Sequence, residues 1–206
     1  MVNFTLNGPV KLSIEFDGNK LHNLHLFGNS IETNKPDPKS PNVIYFGPEI
    51  HQPNDMSGDE FDIPSGKTVY IAGGAILKAR FVCDRVSNVK IRGRGILDQP
   101  QRGVEIRHSN NVSIEGIIVL IPKHYIVYGG ESKNMTIRDI KSFSANGWSD
   151  GIDLMSCSDV TIDDVFMRNS DDCIAMYAHR WDFLRSVRNY KITNSIYGQI
   201  LLILSI

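Results

Sequence analysis

The sequence is poor in cysteine, in long apolar runs and in any excess of charge, and each shortage excludes a class of protein. Its three cysteines, Cys83, Cys157 and Cys173, are odd in number and lack CxxC spacing. They can build neither a structural zinc site nor a complete disulfide framework, and are expected as buried apolar side chains. The one long apolar run, Ile200 to Ile206 with a single Ser, is far short of the ~20 residues that span a bilayer. Lys and Arg total 22 against 23 Asp and Glu, so no overall positive field draws in nucleic acid or membrane phosphates. Met1-Val2-Asn3-Phe4-Thr5 has no basic region followed by an apolar stretch, and no leader is legible. A P-loop, a dinucleotide fingerprint, a nucleophile elbow and a metal-binding helix are also missing, so no cofactor or metal is expected.

What is there suffices for a core: 41% of the 206 residues are apolar. Val10-Lys11-Leu12-Ser13-Ile14-Glu15-Phe16 and Leu21-His22-Asn23-Leu24-His25-Leu26-Phe27 alternate apolar and polar positions. They read as two half-buried strands joined by turn chemistry at Asp17-Gly18-Asn19. The proline-rich segment from Thr33 to Pro41 reads as a surface connection, and Asn42-Val43-Ile44-Tyr45-Phe46 as another strand.

A repeat then appears. Asn88-Val89-Lys90-Ile91 recurs as Asn111-Val112-Ser113-Ile114, Asn134-Met135-Thr136-Ile137, Asp159-Val160-Thr161-Ile162 and Asn189-Tyr190-Lys191-Ile192, with Thr68-Val69-Tyr70-Ile71 as a first copy. The isoleucines stand at 71, 91, 114, 137, 162 and 192. That slowly varying period fits the coil of a solenoid whose short strands stack about 4.8 Å apart. A β-sandwich predicts alternating hairpins instead of one recurring motif. Leucine-rich repeats would need a Leu ladder, and helical repeats would need i, i+3, i+4 stripes where Ile, Val and Thr dominate. The expected architecture is all-β: a small β-sandwich-like domain over 1–60, then a parallel β-helix over 61–206, right-handed by the general preference of crossovers.

Two acidic segments are one coil apart. Gly147-Trp148-Ser149-Asp150-Gly151-Ile152-Asp153 precedes Asn169-Ser170-Asp171-Asp172-Cys173-Ile174, and Asp171 follows Asp150 by 21 positions. In a solenoid such residues meet on one side of the sheet. Crowded carboxyl groups split their pKa values, which supplies one protonated and one ionised group, the pair that glycosidic hydrolysis needs. Singly, each segment is also a turn-forming sequence. Consecutive strand residues face opposite ways, so Asp171 and Asp172 can share a groove only if the chain bends there.

These motifs resemble signatures of glycoside hydrolase family 28, the polygalacturonases and their relatives. Ser149-Asp150-Gly151 and Asp171-Asp172-Cys173 are similar to that family's Asn-Thr-Asp and Gly-Asp-Asp, and Gly93-Arg94-Gly95-Ile96-Leu97-Asp98 to the glycine-containing coil before them. The resemblance runs from about Lys67 to Ile196. It implies inverting hydrolysis with Asp171 as general acid and Asp150 and Asp172 as the groups that position and activate water. Trp148 stands where the family has Asn, and Ser170 where Gly is usual. Trp148 either stacks on a sugar or packs in the core. Substrate contacts are expected from Trp148, Asp153 and Arg180; Arg180, Arg185 and Arg188 are candidate carboxylate binders by sequence proximity, or solvated surface charge. The family's later Gly-His-Gly and Arg-Ile-Lys motifs are absent, and their functions are not transferred to His179.

Pro41-Asn42-Val43-Ile44-Tyr45-Phe46-Gly47-Pro48 is similar to the small β-domain before the helix in the dextranase family, which leaves uronic-acid polymers and neutral glucans both open. A non-catalytic glycan-binding or structural β-helix is the competing class. A polysaccharide lyase is a further one, although it would need a basic residue and usually calcium. The expected partner is a polysaccharide, with no nucleic acid or membrane, for a monomer whose full-length relative is secreted or periplasmic. The residues from Tyr197 to Ile206 read as a break in the repeat without a cap. Restoring one base in suitably chosen codons there yields Leu-Trp-Pro-Asp-Ile-Ala-His-Pro-Ile-Asn, similar to a natural continuation of the family. A C-terminally truncated hydrolase is therefore expected, its activity open.

Overall fold

The computed structural model describes residues 3–53 and 56–199, in two compact units, Met1–Lys35 and Pro36–Ile206. The first unit is built on one antiparallel hairpin, Val10–Phe16 with Asn19–Gly28. Asp17 and Gly18 both take positive φ, 53° and 71°, the double left-handed turn whose twist matches the flanking strands. Leu12 lies opposite Leu26 and Ile14 opposite Leu24, so the alternation read in the sequence is a cross-strand apolar row. Among the described residues this unit holds one hairpin and not a sandwich.

The second unit is a parallel β-solenoid. Among the described residues each coil passes through three sheets of seven, seven and six strands, and no helix is present. The first sheet carries the repeated motif, with Ser87–Gly93, Asn110–Glu115, Lys133–Arg138 and Ser158–Asp163 at its centre. The second contains Lys141–Phe143 and Phe166–Asn169, the third Val127–Gly130, Ile152–Met155 and Ile174–Tyr177.

The motif has a physical reason at each end. Asn88, Asn111, Asn134, Asp159 and Asn189 all have φ between 54° and 58°, a left-handed conformation that Asn and Asp tolerate better than other side chains. They turn the chain into the first sheet, and Asn111 donates to Asn88 Oδ1 at 2.6 Å across coils. The isoleucine three residues on points inward: Ile91, Ile114, Ile137 and Ile162 stack in register and are fully buried. Each such side chain stabilises the fold by roughly 1.5–3 kcal/mol relative to leaving it exposed. Cys83 and Cys157 belong to this interior, Cys173 is partly buried, and all three are free thiols.

Three expectations are corrected. The division near residue 60 falls instead between Lys35 and Pro36. Val43–Phe46, Ile50–His51 and Glu60–Asp62 already pair in parallel with the next coil, so the dextranase-like stretch lies in the solenoid. Ile71 aligns with Gly93, while Val69 faces Ile91; because the side-chain period is two, this two-residue shift leaves Ile71 facing the core. At the other end Ile196–Gln199 pairs with Phe166–Asn169, so the repeat continues beyond Tyr197. Residues 200–206, where its break and the missing cap were expected, lie outside those described.

Candidate active site

The two acidic segments are the corners between the second and third sheets in successive coils. One runs from Phe143 to Ile152, the other from Asn169 to Ile174. The chain bends at Ser170, Asp171 and Cys173, as Asp171 and Asp172 require to share a side. Gly151 N–H donates to Asp172 O at 2.7 Å and Ile152 N–H to Cys173 O at 3.0 Å. A Cβ on Gly151 would lie 2.1 Å from Cys173 O, so only glycine lets the corners approach this closely.

Beneath them is a buried polar clamp. Ser149 Oγ donates to the Asn146 carbonyl at 2.8 Å and lies 2.9 Å from Ser170 Oγ, while Asn169 Nδ2 donates to Ser149 O at 3.4 Å. Ser142 Oγ donates to Asn169 Oδ1 at 3.0 Å. The hydroxyl that departs from the family's glycine at Ser170 therefore ties one acidic corner to the other. Buried hydroxyls without such partners would cost about 1–3 kcal/mol each.

Asp150, Asp153, Asp171 and Asp172 share one electrostatic neighbourhood. Burial first, then repulsion from Asp171 and Asp172, pushes Asp150 up to about 6, against the opposing pull of an Asp153 hydrogen bond and Arg180. Asp153 is fully buried on the outer face of the third sheet, in register with Tyr128 and Ala175. Burial, then the Asp150 charge and hydrogen bond, pushes it up to about 8. No donor among the described residues reaches either Asp153 oxygen. Two carboxyl groups can bond only by holding a proton between them, and burial, deeper at Asp153 than at Asp150, favours Asp153 as the donor and Asp150 as the acceptor. Asp171 Oδ1 accepts from Asp172 N–H at 3.0 Å, and Asp172 is exposed.

Trp148 sits at a turn tip with φ 63° and 73% of its surface exposed, so core packing is excluded for it. Of the three arginines only Arg180 joins the carboxylates; its guanidinium lies 4.2 Å from the centre of the Tyr177 ring and 4.9 Å from that of Trp181. Arg185 pins its loop, with Nε 3.2 Å from Glu131 Oε2 and its N–H donating to Ser156 Oγ at 2.9 Å. Arg188 begins a strand of the first sheet and is exposed.

Sequence reasoning missed the aromatic wall. Tyr125, whose hydroxyl is pushed up to about 12 by burial and then by Asp153, stacks on Tyr128 with ring centres 5.7 Å apart. Arg102 lies over both rings, and His124, 4.0 Å from Tyr125, is held below its usual pKa by burial and by Arg102 and Arg180. The signal available was position: Tyr125 precedes Asp150 by 25 residues, one coil. The wall is completed by a loop after Ile174–Tyr177 that folds back over earlier coils. Phe183, buried, packs where Gly130 leaves room, since a Cβ on Gly130 would meet its ring at 2.1 Å. Among the described residues no group of three or more His, Cys, Asp or Glu is arranged to hold a metal ion.

A groove of this kind, with clustered carboxylates, aromatic walls and a nearby arginine, is equipped to bind a sugar chain and move protons at it. No curated protein matches the sequence. A protein from Parabacteroides merdae, provisionally assigned as a glycosyl hydrolase, is similar in structure with a TM-score of 0.61 and 16% identity. The match covers 75% of this chain and 79% of that one, and at this identity it speaks for the fold alone. The sequence itself matches glycosyl hydrolases family 28 over residues 55–196, which takes in both acidic corners and the aromatic wall, and the chain belongs to that family.

Proposed function

We propose that this glycoside hydrolase cleaves a galacturonan-like, uronate-containing polysaccharide with inversion, using Asp171 as general acid and Asp150 and Asp172 to position and activate water. The observation that carries this reading is the gathering of Asp150, Asp171 and Asp172 on adjoining corners, with Asp153 on the strand that follows the first of them and Arg180 beside them. Asp171 protonates the leaving oxygen as the glycosidic bond breaks. Water held by Asp150 and Asp172 attacks the opposite face of the sugar and gives its proton to ionised Asp150. Inverting enzymes hold acid and base roughly 6.5–9.5 Å apart to admit that water. Asp153 donates its proton to Asp150 and keeps that carboxylate aimed at the groove. Arg180, backed by Tyr177 and Trp181, suits a sugar carboxylate, since a guanidinium pairs with carboxylates bidentately. Exposed Trp148 offers a stacking face on the other side. A substrate of this kind is met outside the cell, so a secreted or periplasmic setting is part of the proposal.

The test is release of reducing ends from polygalacturonate and from dextran. Release from polygalacturonate alone is expected, with Asp171→Asn slowing it about 10²–10⁴-fold. NMR of the first-formed anomer reads inversion. Unaltered cleavage by Asp171→Asn defeats the acid assignment, cleavage of dextran alone changes the substrate, and an unsaturated product means elimination.

A further inference from the structure

The loop between Tyr177 and Arg188 divides the outer face of the third sheet. Arg180 and Phe183 bond each other through both backbone pairs at 3.1 Å, which leaves Trp181 and Asp182 at the tip of a tight hairpin. Trp181 takes φ 54°, a conformation costly for a bulky side chain and kept where the surroundings over-determine it. Phe183 supplies that anchor by packing on Gly130, His108 and Tyr128. Arg180 faces the carboxylates on one side of the tip. On the other side lies a separate pocket of about 370 Å³, lined by residues of earlier coils and by Trp181 itself. Its size is within the ~300–1,000 Å³ usual for small-molecule sites, and none of the four clustered aspartates lines it.

Its polar groups are only partly used. Asp84 Oδ2 lies 2.9 Å from Arg85 Nη1 and 3.6 Å from Arg107 Nη2. Asp84 Oδ1 and Arg107 Nε are buried with no hydrogen-bond partner among the described residues. Such groups cost stability unless something pairs with them. Arg85 is 71% exposed and has further donors free to turn inward. Trp181, 53% exposed, gives the rim an apolar face. An acceptor, a guanidinium donor and a ring face together match a pyranose that carries both hydroxyls and a carboxylate. Arg107 and Asp153 lie on strands two steps apart in the same sheet, or about 10 Å at the usual strand spacing. One polysaccharide chain can therefore reach both places along the Tyr125–Tyr128 wall.

We infer that this pocket is a second saccharide subsite, which holds a uronate unit of the chain being cleaved by stacking on Trp181 and by pairing its carboxylate with Arg107 and Arg85. The inference rests on the polysaccharide-hydrolase reading above, and its test separates the two. In the full chain with Trp148→Phe, Trp181 is the remaining one of two tryptophans. Its fluorescence is followed during titration with galacturonate oligomers and, separately, with neutral gluco-oligomers. A saturable change with the galacturonate series is expected, weakened about tenfold or more by Arg107→Gln, as loss of a charged hydrogen bond implies, and unaffected by Asp171→Asn. If Arg107→Gln lowers the melting temperature, Arg85→Ala at the exposed rim serves instead with the same expected weakening. An unchanged spectrum, an equal response to neutral oligomers, or affinity indifferent to both arginine substitutions overturns the inference. Hydrolysis with no Trp181 response would end the subsite alone, whereas a Trp181 response in a chain that cleaves nothing would end the hydrolase reading alone.

Discussion

The Asp150–Asp153 pair makes stability depend on pH in a direction opposite to most carboxylates, and Asp153→Asn isolates the effect. Asp153 keeps its proton to about pH 8 when folded, against an ordinary value of 3.8. In the unfolded chain it is ionised above that lower value, so unfolding releases a proton throughout the window between them. Stability therefore falls as pH rises, by up to about 1.4 kcal/mol per pH unit, and the loss stops once the folded carboxyl also ionises near pH 8. Four units set a ceiling of roughly 5–6 kcal/mol. Asp150 shares the strain, and an asparagine amide at 153 leaves one N–H without an acceptor at a cost of about 1–3 kcal/mol. A net gain of about 2 kcal/mol near pH 7.5 is expected for Asp153→Asn, with no gain near pH 4.5. In urea, followed by tryptophan fluorescence, this moves the midpoint up by about 1 M at the higher pH only. The asparagine still donates to Asp150, so the fold need not rearrange. If wild type and variant show parallel pH dependence, Asp153 does not hold a proton and the account of the pair is wrong.

The same chemistry predicts that kcat/KM on polygalacturonate rises with pH through about 6 as Asp150 ionises, and that Asp153→Asn leaves this acid limb in place, because residue 153 is uncharged there and the asparagine still donates to Asp150; a profile flat through about pH 6 would separate Asp150 from water activation. Gly151→Ala forces a methyl to within 2.1 Å of a backbone carbonyl and should lower activity at least about 100-fold by parting the acidic corners, measured beside a melting curve that shows the coils intact. Gly130→Ala should expel Phe183 and loosen the Trp181 hairpin, at a cost of about 1–3 kcal/mol and with a shift in tryptophan emission. Ile137→Ala, in the buried isoleucine row, should cost about 2–5 kcal/mol in denaturant melts without changing the pH profile of whatever activity remains.

The solenoid was legible because its repeat is local. A left-handed Asn or Asp followed by an inward Ile marks the same corner and strand in each central coil, and Ile91, Ile114, Ile137, Ile162 and Ile192 pair as their spacing says. Where the left-handed residue is missing, the sequence does not mark the register. Thr68 and Val43 begin first-sheet strands without positive φ. Nothing in their sequence anchors the phase, so counting from the isoleucines puts Ile71 two residues out of register and leaves the coil from Val43 with the preceding domain.

The site was legible to the same extent. Asp150 and Asp172 come side by side because each stands two residues before a third-sheet strand and those strands pair Ile152 with Ile174, a relation that counting along the chain recovers although the two corners differ in length. The aromatic wall and the folded-back loop obey no period: Phe183 reaches Gly130 and Leu184 N–H reaches Glu131 Oε1 across two coils. One trace of that contact does stand in the sequence. Gly129 and Gly130 close a strand and are both buried, although glycine weakens a strand by its entropy and offers no side chain to pack. Buried glycines persist in such a place where another segment must come close. Gly129 makes room for Leu154 inside the coil and Gly130 for Phe183 outside it. A solenoid strand that ends in two glycines is therefore a point where the repeat has been opened on both faces, and here its outer face is where the loop that carries Arg180 and Trp181 comes down.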